Sequence, residues 1–162
     1  MTTLATDPLT LVHLAISLAA IGTGLPVLAA LLKGRAPVTL TGIFLGLTVL
    51  TSVTGFLFQN EMVTPAMIVG TISLIALAVA LFAFYGRHLA GRWRAAYVIT
   101  AIAALYLNVA VLVIQSFIKI PALHALAPGV PPSGAVFGTV QLLVLMAFFL
   151  AGWRAVRAAP TA

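Results

Sequence analysis

Charge is scarce in this chain. Eight Lys and Arg and two Asp and Glu stand among 162 residues, 6% in all, against roughly a quarter in an ordinary soluble domain. So few charges cannot cover the surface of a soluble fold of this size, and the apolar majority, 63% of positions, must face lipid. Cysteine is absent, which excludes disulfides, thiol nucleophiles and cysteine-held zinc or iron–sulfur centres. No carboxylate falls inside a long apolar run, whereas carriers coupled to protons or ions commonly place one at mid-membrane. Paired carboxylates, His-Glu-x-x-His and a glycine-rich phosphate loop are all missing, so the chain is read as non-enzymatic and without a cofactor. Residues 1–7 hold no Lys or Arg, so no cleavable signal peptide is expected and the first apolar run should remain as a helix.

What is present is apolar length. Five runs, Leu9–Leu32, Val38–Phe58, Pro65–Tyr85, Ala95–Ile118 and Ala135–Trp153, each approach or exceed the about 20 helical residues that cross a hydrocarbon core of about 30 Å. Two-residue alternation is lacking, which argues against a β-barrel. Asp7-Pro8 and Thr64-Pro65 each set a capping oxygen before a proline at the first helical position. Gly34 and Gly86 follow the first and third runs, where a left-handed cap residue is favoured. The expected fold is an all-α integral membrane protein, one domain over residues 1–162, built as a bundle of five transmembrane helices.

The few charges then report orientation rather than nucleic-acid binding. Lys33 and Arg35, then Arg87, Arg92 and Arg94, then Arg154 and Arg157 fall on one side of such a bundle, and the other side has only Lys119 with Asp7 and Glu61. The positive-inside rule puts the arginine-rich side in the cytoplasm, with the N-terminus out and the C-terminus in. Trp93 and Trp153 sit at the same level, as in an interfacial aromatic belt. A multi-pass place in a bacterial inner membrane follows, with lipid as the first partner and copies of the chain or other membrane proteins as further ones. The long connection at residues 120–134 carries four prolines and is expected at the outer interface, with a short helical turn near Ala122–Leu126.

Polar residues inside the spans are the candidate functional residues. Asn108, Gln115 and Lys119 are spaced by seven and four, within about 40° of one another around a helix, and form a stripe from mid-membrane to the outer surface. Lipid cannot satisfy a carboxamide, so the stripe should face other helices or a wet cavity. On the first run His13, Ser17, Ala20 and Gly24 share a face. At matching membrane depth, His13 and Gln115 are expected to touch, directly or through water. A packed space between them favours a structural role, and an open one favours a ligand or permeation path. Pro26 should kink this helix. In the second run Gly42-x-x-x-Gly46 marks a packing seam, and its hydroxyls, Thr48 to Thr54, can bond to their own helix. Glu61 is expected to pair with Lys119. Weak metal candidates are His13, His124 and Glu61; a haem held by two histidines would have to recruit His124, because only His13 lies within a span.

The stretch Leu105-Tyr-Leu-Asn-Val-Ala-Val-Leu-Val-Ile-Gln115 through Lys119-Ile-Pro121 and His124 to Pro128, with Thr54-Gly55-Phe56 and Thr64-Pro65-Ala66, resembles a family of small, uncharacterised bacterial inner-membrane proteins, mostly proteobacterial. Gln59-Asn60-Glu61 stands where that family has a Pro/Phe-containing loop. The resemblance implies the multi-pass helical fold and brings no activity with it. Function is therefore expected to be that of a structural or accessory subunit, of a homo-oligomer or a larger membrane complex. The alternatives are a small channel or facilitator with a path along Asn108, Gln115 and Lys119, and more remotely a haem- or metal-binding membrane protein.

Overall fold

The computed structural model describes residues 7–58 and 65–158. Five of its helices are long and apolar enough to cross a membrane. Helix α1 spans Pro8–Leu31, and the Asp7 carboxylate accepts from the Thr10 backbone N–H (3.2 Å) and hydroxyl (3.1 Å) at its start. Helix α2 spans Val38–Gly55 and α3 spans Pro65–Leu81. Helix α3 closes in a wider turn, Phe82–Gly86, where the Arg87 N–H donates to the Phe82 carbonyl (2.9 Å). Helix α4 covers Arg92–Lys119, α5 is a single turn at Pro121–His124, and α6 covers Ala135–Arg157.

The ends depart from the hydropathy runs in an instructive way. Helix α2 stops three residues before Phe58, whereas α4 and α6 run on into Arg92 and Arg157. Hydropathy marks where lipid begins, and a helix with charged side chains in its terminal turns continues past that level into the interface. At 28 residues α4 is about 42 Å long, well beyond the hydrocarbon thickness.

The short connections make successive long helices antiparallel, so Lys33, Arg35, Arg87, Arg92, Arg94, Arg154 and Arg157 share one end of the bundle. Lys119 and Asp7 lie at the other. Helix α4 is the centre, packed against α3, α6, α1 and α2, while α1 packs mainly on α2. Helix α6 is peripheral, holding to α4 and touching α1 only lightly. Its Gln141 side-chain amide donates to the Ala110 carbonyl of α4 (3.1 Å).

The core is uneven along the bundle axis. In the arginine-rich half Leu31, Phe44, Leu45, Leu77, Tyr97 and Leu105 are buried. The Tyr97 hydroxyl donates to Thr41 within that core (3.4 Å). Its edge is set by Gly24: a Cβ there would stand 2.5 Å from Leu105 Cδ1 and 2.8 Å from Phe44 Cε2. Gly42 faces the Tyr85 hydroxyl, which a Cβ would meet at 2.7 Å, whereas a Cβ on Gly46 would meet nothing within 4 Å. The close approach of helices therefore runs through Gly24 and Gly42, and Gly46 faces outward.

Candidate functional site

Above that packed half the four helices α1 to α4 part. A cavity of about 400 Å³ lies between them, reaching from Ile21 on α1 to Thr10, and from Leu107 on α4 to Lys119. Twelve residues of helix rise about 18 Å, so the cavity occupies roughly half the membrane thickness and ends at the Lys119 end of the bundle. Gly24, Phe44 and Leu105 lie just beyond its deep limit and close it toward the arginine-rich side.

The helical period explains why polar groups gather here. Asn108, Gln115 and Lys119 line the cavity from α4, and Thr10, His13 and Ser17 line it from α1. Side chains three, four and seven apart share a face, and each face turns to the same space. The sequence stripe and the sequence face thus meet across the cavity rather than in a packed interface. His13 and Gln115 both line the space, but the hydrogen-bond partner of His13 is Thr54 on α2, at 2.8 Å from Nδ1. The Thr54 hydroxyl donates to the Leu50 carbonyl (2.7 Å), so its oxygen accepts from Nδ1–H. In the neutral ring Nε2 then carries the lone pair. Phe58 stands edge-on to the imidazole, with ring centroids 5.2 Å apart. The Ser17 hydroxyl turns back to the His13 carbonyl (2.8 Å).

Helix α2 supplies hydroxyls that the sequence reading gave to local backbone bonding, and α3 adds Ser73. Thr48 and Thr54 do bond within their own helix. Ser52 instead donates across to Ser73 on α3 (3.1 Å), and both line the cavity. Thr51 is 7% exposed and lines it too, yet its hydroxyl has no hydrogen-bond partner among the described residues. The Asn108 side-chain nitrogen is likewise buried without one. Two donors left unmatched in a cavity wall are costly at about 1–3 kcal/mol each, so their presence requires a reason. The remaining wall is apolar, including Leu14, Phe56, Met67 and Leu112, and among the described residues no acidic one lines it.

Among the described residues no three His, Cys, Asp or Glu come together, and the weak metal set includes Glu61, which is outside them. His124 engages the Phe117 carbonyl through Nδ1 (3.2 Å). Glu61, and with it the expected pair with Lys119, lies outside the described residues. Comparison with protein-family models, with curated proteins and with solved structures finds no match, so the reading of this site stands on its geometry.

Proposed function

We propose that this multi-pass membrane protein is a non-enzymatic binding protein, holding one small lipophile that carries a carbonyl or carboxylate group in the cavity between α1, α2, α3 and α4. The observation that carries this is a space large enough for a ligand, largely apolar but with Gln115 and Lys119 in its lining and with the unmatched Thr51 Oγ1 and Asn108 Nδ2 buried behind its surface. The Gln115 amide and the Lys119 ammonium at the rim offer hydrogens to an acceptor. Among the described residues the only charged group in the lining is Lys119, which favours an acceptor-bearing or anionic head over a cationic one. The space between the faces of α1 and α4 favours ligand binding over the accessory-subunit reading, in which those faces would pack. A continuous permeation path finds less support, because Leu31, Phe44, Tyr97 and Leu105 are buried together below the cavity.

A head-group series tests this reading. Decanoate and decanamide are expected to raise the melting temperature of the purified protein in mild detergent, and decane and decylamine to leave it unchanged. Stabilisation by decylamine equal to that by decanoate would remove the case for an acceptor-bearing ligand.

The seven-to-one division of basic residues supports the cavity opening on the extracytoplasmic side of a bacterial inner membrane, with the arginine-rich end in the cytoplasm. A reporter fused after residue 162 that functions only in the cytoplasm should be active. Activity of a reporter that functions only outside the cytoplasm would reverse the orientation.

A further inference from the structure

A second concavity lies at the arginine-rich end, outside the bundle. Helix α6 holds to α4 and barely touches α1, and the two splay to leave an open groove of about 700 Å³. Leu32 lines it from the end of α1, and Ala147, Leu150, Ala151, Trp153, Arg154 and Arg157 from α6. From Ala147 to Arg157 the helix rises about 15 Å, which is the depth of a single leaflet of a hydrocarbon core about 30 Å thick. The groove is apolar at its deep end and cationic at its surface end.

Among the described residues no acidic side chain neutralises that surface end. Asp7 is the one acid among the described residues, and it caps α1 at the opposite end. Among the described residues neither Arg154 nor Arg157 has a carboxylate partner, and Arg94, at the same end, has a buried Nη2 without a hydrogen-bond partner. Arg154 and Arg157 are three apart on α6, so their guanidinium groups project from one face. The Arg157 guanidinium stacks over the Trp153 ring at 4.2 Å, which limits its rotamers and leaves its edge N–H groups for an oxyanion. Planar guanidinium forks match phosphate oxygens two at a time.

We infer that one anionic phospholipid occupies this groove, with its phosphate on Arg154 and Arg157 and an acyl chain along Leu32, Leu150, Ala151 and Ala147. Charge complementarity selects the head, and the one-leaflet depth of an apolar wall selects a lipid rather than a soluble phosphate. The site is separate from the cavity between α1 and α4, and it stands whichever membrane face the arginine-rich end occupies.

Native mass spectrometry of the full chain, released from bilayers of mixed phosphatidylglycerol and phosphatidylcholine, tests this directly. The wild type should retain one phosphatidylglycerol in preference to phosphatidylcholine. The double variant Arg154→Gln/Arg157→Gln should lose that retention at least tenfold. Arg87→Gln/Arg92→Gln, which removes the same charge from the same end but outside the groove, should keep it. Inorganic phosphate at millimolar concentration should not displace the lipid; displacement would assign the two arginines to a soluble anion instead. Equal retention of both lipids by the wild type, a result that needs no variant to fold, would overturn the inference. Equal loss in the two double variants would also overturn it, by reducing the effect to the general attraction of a basic face.

Discussion

Leucine in place of Gly24 is expected to lower the stability of the protein by about 3 kcal/mol, the upper part of the range for overfilling a packed core. The Cβ alone would stand 2.5 Å from Leu105 Cδ1 and under 3 Å from two atoms of the Phe44 ring. Those two side chains are themselves 1% exposed, so neither can move outward without displacing other core residues. In a chain of this length the loss corresponds to about 6–12 °C in melting temperature, measurable by size-exclusion after heating in detergent. Gly22, two residues away on the same helix, supplies the control. A Cβ there would meet nothing within 4 Å, and leucine should be neutral or slightly stabilising through helix propensity. Equal sensitivity at the two positions would mean that α1 does not pack through the Gly24 face.

The same comparison shows what could be read from the sequence and what could not. Gly24 was legible because it repeats at helical spacing with His13, Ser17 and Ala20, and small residues on one face permit close approach. Gly42 and Gly46 look equivalent by the same rule, yet only Gly42 meets a neighbour, the Tyr85 hydroxyl. A four-residue spacing marks a face of one helix; which part of that face is covered depends on how the next helix crosses it. The five spans were legible for a simpler reason, since length and hydropathy are properties of one segment at a time. The cavity was half legible. Its α1 and α4 walls follow from periodicity, because His13 and the Asn108 stripe each define a face that lipid cannot satisfy. Its α2 and α3 walls do not, because a hydroxyl such as Thr51 or Ser52 can be satisfied by its own helix. Only the assembled bundle shows that Ser52 reaches Ser73 and that the Thr51 hydroxyl has no partner among the described residues.

Asn108 is expected to oppose stability and serve binding, and Asn108→Leu separates the two. With its side-chain nitrogen buried and unmatched, the asparagine destabilises the ligand-free protein by about 1–3 kcal/mol. Leucine has similar bulk and no donor, so the variant should melt about 2–4 °C higher for each kcal/mol recovered. Loss of one hydrogen bond to the ligand head, about 1.4 kcal/mol, should weaken decanoate binding about tenfold. A purely structural asparagine gives the reverse pattern: lower stability on replacement, with decanoate binding unchanged. Weaker decanoate binding together with higher stability is the pattern the binding role predicts, and unchanged binding would deny Asn108 that role.

The central claim is that the space between α1 and α4 is a binding site rather than a packing defect, and filling it tests that claim most directly. Ser17 lines the cavity, and its hydroxyl bonds only to the His13 carbonyl of its own helix, so Ser17→Leu removes no contact between helices and places apolar bulk in the space. Equilibrium binding of labelled decanoate to the purified wild type should saturate at one molecule per chain. The Ser17→Leu protein, folded and at least as stable, should bind at least tenfold more weakly. Binding that is equal in the two proteins, or that follows the amount of detergent without saturating, would contradict the account.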